Sequence, residues 1–171
     1  MKLNTLKFLL LLCILIAFGS AATAQGRKTI ILIRHAEKDT AATVDQNDPS
    51  LSAEGRQRAE RVARRIGKFR PGAIYSTNYK RTRETVEQLA KKRNKTIETY
   101  DPSKPKELAA AILASKTKRF VVVGHSNTIP SLANLLTGKD LFKNLQDSEY
   151  SVIWVIRIKD GEIRKVELLD Y

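Results

Sequence analysis

Two kinds of apolar pattern alternate along the chain from residue 28 onward. Continuous runs of aliphatic and β-branched residues, such as Phe120–Gly124, are typical of strands that are buried on both faces. In the second pattern the apolar residues recur with the period of a helix, as they do at Ala59, Val62, Ala63 and Ile66. The alternation therefore predicts a chain in which strands are followed by helices.

The predicted elements and their order define a fold class. The predicted strands are Lys28–Ile33, Ala73–Ser76, Lys95–Tyr100 and Phe120–Gly124. The predicted helices run from an N-cap at Ser52 to about Lys68, over Lys80–Arg93, over Glu107–Ser115 after Pro105, and over Pro130–Leu136 before Gly138. A terminal hairpin is predicted from Ser151–Ile158, an Asp160-Gly161 turn and Ile163–Leu169. Because strand and helix alternate, we expect an α/β domain of three α/β/α layers, with a mostly parallel central sheet and a C-terminal β-hairpin.

The first 24 residues have the pattern of a secretory signal peptide. Two lysines without an acidic residue precede the apolar run Phe8–Phe18, and Ala22–Ala24 fits a small-residue cleavage site. The run is shorter than the roughly 20 residues that a membrane-spanning helix needs, so we expect cleavage before Gln25 rather than a membrane anchor. The prediction is an exported, periplasmic or extracellular protein whose catalytic domain covers residues 25–171, with no stable membrane insertion after cleavage.

Composition narrows the chemistry of this domain. The only cysteine of the chain, Cys13, lies in the leader, so disulfide and thiol chemistry are excluded from the domain. The full chain has 31 basic and 18 acidic side chains and a net charge of +13, and loss of the leader removes only two lysines. Such a charge favours anionic ligands. No nucleic-acid-binding motif accompanies it, and we expect no nucleic-acid partner.

Polar residues with catalytic potential follow three of the predicted strands. Arg34 and His35 follow the first strand, Arg81 lies shortly after the second, and His125 follows the fourth. His35 and His125 are the only two histidines of the chain. In parallel sheets of this kind, ligands bind at the carboxyl ends of the strands. A buried arginine needs an anionic partner, which is either an external anion bound by both arginines or Glu37, which would neutralise one of them.

Three segments resemble the signature motifs of one family. They are "RHAEK" at residues 34–38, "YSTNYKRTRET" at residues 75–85 and "VVVGHSNT" at residues 121–128, and "LSAEGRQRA" at residues 51–59 is similar to the helix that follows the first motif. In order and spacing they resemble the histidine phosphatase superfamily, the phosphoglycerate-mutase-like proteins, over residues 28–138.

The resemblance implies a role for each of the four polar residues. His35 would be the nucleophile that forms a phosphohistidine. Arg34, Arg81 and His125 would bind the phosphate oxygens of a small phosphorylated substrate and stabilise the charge of the transition state. The chain has no convincing cluster of metal ligands, and we expect neither a metal nor another cofactor.

The proton donor and the exact activity stay open at the level of sequence. Glu37, Glu98 and Asp101 are weak candidates for the general acid. The leading hypothesis is an exported, metal-independent phosphatase that acts on phosphate monoesters. The alternatives are a non-catalytic phosphate-binding protein of the same fold and a phosphoglycerate-type mutase. The sequence carries no signal for the oligomeric state or for the physiological substrate.

Overall fold

The computed structural model describes residues 26–41 and 43–171, and the predicted signal peptide lies outside them. The strands are β1 (Lys28–Arg34), β2 (Ala73–Ser76), β3 (Ile97–Thr99), β4 (Arg119–Gly124), β5 (Ile153–Lys159) and β6 (Glu162–Leu169). The helices are α1 (Ala53–Gly67), α2 (Lys80–Arg93), α3 (Pro105–Ala114) and α4 (Thr128–Thr137). Within the described residues, no helix combines the length and the apolar character that crossing a bilayer requires.

The six strands form one mixed sheet in the order β3-β2-β4-β1-β5-β6. β3, β2, β4 and β1 run parallel to one another, whereas β5 is antiparallel to β1 and β6 is antiparallel to β5. Asp160 and Gly161 both have positive φ angles, of 53° and 83°, as a tight hairpin turn between β5 and β6 requires. The predicted mostly parallel sheet with a C-terminal hairpin is therefore confirmed.

Each face of the sheet carries its own hydrophobic core. Ile31 and Ile33 of β1 face the layer formed by α1 and α2, while Ile30 and Leu32 face the layer formed by α3 and α4. All four side chains are fully buried. A strand between two helical layers needs apolar residues at every position, which is why the sequence shows a continuous run and not an alternation. The three-layer α/β/α prediction is confirmed.

Helix α1 begins where the sequence predicts. The Ser52 hydroxyl accepts a hydrogen bond of 3.0 Å from the Gly55 N–H, and this bond satisfies one of the free donors at the helix start. Other boundaries differ from prediction: β3 is shorter than Lys95–Tyr100, and α4 begins two residues before Pro130. β3 is an edge strand with exposed side chains, so burial does not extend it.

Candidate active site

The sheet brings the first and third polar segments next to each other. β1 and β4 are adjacent parallel strands in which Arg34 pairs with Gly124, and the His35 N–H continues the pairing with a 2.9 Å bond to the Gly124 carbonyl. His35 and His125 therefore leave the same edge of the sheet on neighbouring strands. Their ring centroids lie 5.4 Å apart, close enough for one tetrahedral anion to contact both.

The four residues selected from the sequence share one pocket of about 540 Å³. The residues that line it are Arg34, His35, Lys38, Thr40, Arg81, His125, Ser126, Asp147 and Tyr150. Lys38, Thr40 and Ser126 lie within a few residues of the sequence motifs and were within reach of prediction. Asp147 and Tyr150 belong to a segment without a recognisable motif, so sequence reasoning missed them.

His35 is held with a free nitrogen for chemistry. It is buried, and its Nδ1 lies 2.7 Å from the carbonyl oxygen of Ala36. Because a carbonyl only accepts, Nδ1 carries the hydrogen in this bond, and the lone pair of the neutral ring is on Nε2. Burial is the main reason that the pKa of His35 falls to about 3, and the cationic groups around it act in the same direction. The ring is therefore neutral at pH 7.

His125 is also held in place by threonines. Its Nε2 lies 3.1 Å from the Thr77 hydroxyl oxygen, and its backbone N–H donates a 2.9 Å bond to the Thr128 hydroxyl. Burial and then the charges of Arg81 and Arg34 lower the pKa of His125 to about 4. Both imidazole rings are consequently neutral at pH 7 in the free pocket, and the two guanidinium groups beside them favour that state.

The two arginines leave donors without a protein acceptor. The Nε atoms of Arg34 and Arg81 are both buried and make no hydrogen bond among the described residues. The Arg81 guanidinium lies 4.4 Å from the ring centroid of Tyr79, which orients it by a cation–π contact. Because both cationic side chains line the pocket, it is suited to an anion with several acceptor oxygens.

Arg34 corrects the expectation that only an anion would satisfy a buried arginine. Its Nη1 donates to the backbone carbonyls of Gln146, Asp147 and Glu149 at 2.7, 3.3 and 3.0 Å. The side chain is 5% exposed, and its guanidinium carbon lies 4.1 Å from the ring centroid of Tyr150. Backbone carbonyls that approach from a remote loop cannot be read from a sequence. They bind Nη1, while the buried Nε has no hydrogen-bond partner among the described residues.

Glu37 pairs with neither Arg34 nor Arg81. The alternative in which Glu37 neutralises one of these two arginines is therefore wrong. Its Oε1 lies 2.6 Å from both Nε and Nη2 of Arg58, an arginine of α1. Although burial opposes the shift, the Arg58 guanidinium keeps the pKa of Glu37 below its ordinary value. An ionised, paired carboxylate is a poor proton donor at neutral pH.

The other two candidates for the general acid do not line the pocket. Glu98 lies on the edge strand β3, and neither it nor Asp101 is among the lining residues. The Asp101 carboxylate accepts bonds from the Ser103 hydroxyl and N–H, and these bonds lower its pKa. Asp147 is the one carboxylate among the described residues that line the pocket, and its Oδ1 is 3.9 Å from Arg34 Nη2.

Within the described residues, no three acidic, histidine or cysteine side chains come together as a metal site would require.

Comparison with known proteins agrees with the geometry. The family model of the histidine phosphatase superfamily (branch 1) matches residues 30–102, which include Arg34, His35 and Arg81. A search of curated proteins by sequence gave no match. The third motif, with His125, lies beyond the matched range, and its place in the site rests on the geometry of β4.

Solved structures share the fold at low sequence identity. A protein that carries the name phosphohistidine phosphatase SixA, from Agrobacterium tumefaciens, is 22% identical with a TM-score of 0.64, over 84% of this chain and 98% of that one. A mycobacterial glucosyl-3-phosphoglycerate phosphatase is 16% identical with a TM-score of 0.63, over 85% and 98%. A structure of the same mycobacterial enzyme with inorganic phosphate gives 0.64 at 16% identity, over 84% and 96%. Over residues 30–102 the chain is therefore similar to the histidine phosphatase superfamily (branch 1), and the solved structures show that it shares their fold.

Proposed function

We propose that this protein is an exported phosphatase that hydrolyses phosphate monoesters through a phosphohistidine on His35. One observation carries the proposal: His35, with its Nε2 lone pair, and the two cationic side chains of Arg34 and Arg81 line the same pocket. A nucleophile and two guanidinium donors around one space are what transfer of a phosphoryl group needs. Phosphatases of similar fold, one of them solved with inorganic phosphate, support the substrate class.

The pocket residues divide the reaction into two displacements. The His35 Nε2 lone pair attacks phosphorus, an N–P bond forms, and the bond from phosphorus to the leaving oxygen breaks. The positive charge that develops on the ring is stabilised by the hydrogen bond from Nδ1 to the Ala36 carbonyl. The leaving oxygen departs with the bonding electron pair and takes a proton from the solvent. Water then attacks phosphorus, the N–P bond breaks with its electron pair returning to Nε2, and inorganic phosphate leaves with the protons of that water while His35 becomes neutral again.

The cationic groups stabilise the charge on the phosphoryl oxygens. The guanidinium groups of Arg34 and Arg81 donate hydrogen bonds to these oxygens. His125 lines the same pocket, and a bound anion beside it would raise the pKa of that ring and favour its protonated, donating form. Because these groups supply the positive charge that the reaction needs, we propose that hydrolysis requires no metal.

Hydrolysis of p-nitrophenyl phosphate tests the proposal, since p-nitrophenolate leaves without a proton donor. We expect turnover by the wild type that persists in EDTA and is lost in His35→Ala. Binding of inorganic phosphate should survive in His35→Ala, because both arginines remain. Phosphate binding without turnover by the wild type from pH 4 to 9 would favour the alternative of a non-catalytic phosphate-binding protein. Turnover that EDTA abolishes would contradict the metal-free mechanism.

Export is a separate proposal that rests on the charge and apolar pattern of residues 1–24. Mass spectrometry of the protein recovered from cells is the direct test. A mature chain that begins at Gln25 and is found outside the cytoplasm is the expected result. An uncleaved chain that retains Met1 would contradict it.

A further inference from the structure

One wall of the phosphate pocket is a loop without helix or strand, residues Leu145–Tyr150, which we call the pocket loop. It contributes Asp147 and Tyr150 to the pocket lining. The Leu145 N–H donates to the Ser126 carbonyl at 2.9 Å, and the Gln146 N–H donates to the Glu149 carboxylate at 2.6 Å. The pocket loop therefore has a defined conformation, and its far end is Tyr150.

The pocket loop also binds the guanidinium group of Arg34. Three of its backbone carbonyls accept from Arg34 Nη1, and the ring of Tyr150 covers the guanidinium at 4.1 Å. The same ring lies 6.2 Å from the ring of His35. These contacts on Nη1 and on one face restrict the orientation of the guanidinium. A movement of the pocket loop would therefore shift the Arg34 guanidinium in the pocket.

Tyr171 lies outside the pocket and connects the pocket loop to the hydrophobic core beneath α1 and α2. Its hydroxyl donates a 2.7 Å hydrogen bond to the backbone carbonyl of Tyr150, and its ring packs against the core beneath α1 and α2. Burial is the main reason that the pKa of Tyr171 is raised, so the hydroxyl keeps its proton and stays a donor. Tyr171 does not line the pocket.

An ion pair on α1 supports both tyrosine rings. The Arg58 guanidinium lies 5.8 Å from the ring centroid of Tyr171 and 5.9 Å from that of Tyr150. Arg58 is oriented in turn by its two short contacts with Glu37, and the two side chains are only 15% and 14% exposed. The contacts thus form one continuous series from Glu37 through Arg58 and Tyr171 to the pocket loop.

We propose that Tyr171 is a positioning residue for Arg34, one of the two arginines that line the phosphate pocket. By holding the carbonyl of Tyr150, its hydroxyl sets the place of the pocket loop and, through the loop, the orientation of Arg34. The proposal rests on the proposed function only in taking phosphate as the ligand of Arg34. It assigns Tyr171 no contact with the substrate.

The test is a double-mutant cycle between Tyr171 and Arg34, read as the Kd of inorganic phosphate by titration calorimetry. Tyr171→Phe removes the hydroxyl and keeps the ring against Arg58. Arg34→Lys keeps the positive charge and loses the fork that binds the three carbonyls. The control is Tyr75→Phe, which removes a half-buried tyrosine hydroxyl from β2, away from the pocket loop. Each variant is also unfolded in urea, so that affinities are compared only among folded proteins.

We expect Tyr171→Phe to weaken phosphate binding by about 2- to 10-fold, the range that one neutral hydrogen bond spans. Tyr75→Phe should leave the Kd unchanged. In the Arg34→Lys background Tyr171→Phe should have no further effect, because its influence passes through the guanidinium. An unchanged Kd in Tyr171→Phe would overturn the proposal, and so would an equal loss in both backgrounds, which would indicate general loosening of the fold.

The readout separates this proposal from the proposed function. If the wild type binds phosphate but hydrolyses no ester, phosphatase activity fails while the cycle still decides the role of Tyr171. If the wild type hydrolyses esters and Tyr171→Phe has wild-type affinity and KM, only the role of Tyr171 fails. A wild type that binds no phosphate would overturn both.

Discussion

The neutral state of His35 makes the stability of the fold depend on pH in a way that one substitution isolates. In the unfolded chain the imidazole titrates near its ordinary pKa of 6.5, whereas in the folded protein its pKa is about 3. Between these values the unfolded state binds a proton that the folded state does not. The free energy of unfolding therefore has its full value above pH 6.5 and declines as the pH falls toward 3.

The size of the effect at pH 5 depends little on the folded pKa. Each pH unit below 6.5 costs about 1.4 kcal/mol while the folded ring stays neutral, so His35 alone removes about 2 kcal/mol between pH 7 and pH 5. Any folded pKa below about 4.5 gives nearly the same result. A change of about 2 kcal/mol is a large part of the stability of a typical domain and is easily resolved.

The assay is urea unfolding at pH 7 and pH 5 for the wild type and His35→Gln. Carboxylates and His125 contribute to the pH dependence of both proteins, so the difference between the two isolates His35. We expect the wild type to lose about 2 kcal/mol more than His35→Gln over this interval. The chain has only two histidines, so proton NMR of tag-free protein gives an independent check. Neither ring resonance should titrate between pH 8 and pH 5.

Equal losses of stability in the wild type and His35→Gln would refute the reasoning. Such a result would mean that His35 accepts a proton as readily in the folded protein as in the unfolded chain. The ring would then be a cation over much of the acidic range, and a nucleophile that is ready at neutral and mildly acidic pH would not follow from its burial. A titrating His35 resonance near pH 6.5 would lead to the same conclusion.

Two further substitutions test the contribution of Arg81 to phosphate binding and the close approach of Gly55 to the backbone of Glu37. Arg81→Ala should raise the Kd of inorganic phosphate by about 10- to 100-fold, since a charge-assisted hydrogen bond contributes about 1.5–3 kcal/mol. Arg83→Ala, two residues along α2 and outside the pocket lining, should change it little in the same calorimetric titration. Gly55→Ala should lower the free energy of unfolding by about 2 kcal/mol in urea, because a Cβ there would overlap the backbone carbonyl of Glu37. Gly26→Ala meets no atom within 4 Å and should have no such effect, and equal stabilities of the two variants would contradict the overlap.

The sequence was sufficient for the layers of the fold because they follow from local patterns. Continuous apolar runs predicted β1 and β4, and the helical period predicted α1. The order of these elements leads to a mostly parallel sheet because parallel neighbours need crossover connections. Element ends were less well predicted where burial is slight, as at the edge strand β3.

The same topology explains why Arg34, His35, Arg81 and His125 were selected together from the sequence. Parallel strands end at one edge of a sheet, so chemical groups that follow such strands converge even when they are far apart in sequence. The structure places all four around one pocket. The position of each residue relative to a strand end is sufficient for that inference.

What the tertiary structure alone decided is how these groups are held. The carbonyls that bind Arg34 come from residues more than 100 positions away, and the partner of Glu37 proved to be Arg58 of α1. The pocket loop has no apolar period and no motif, because its conformation depends on contacts with Arg34, Ser126 and Tyr171 rather than on its own sequence. Local patterns therefore determined which groups reach the site, and long-range packing determined which of their atoms remain free to act.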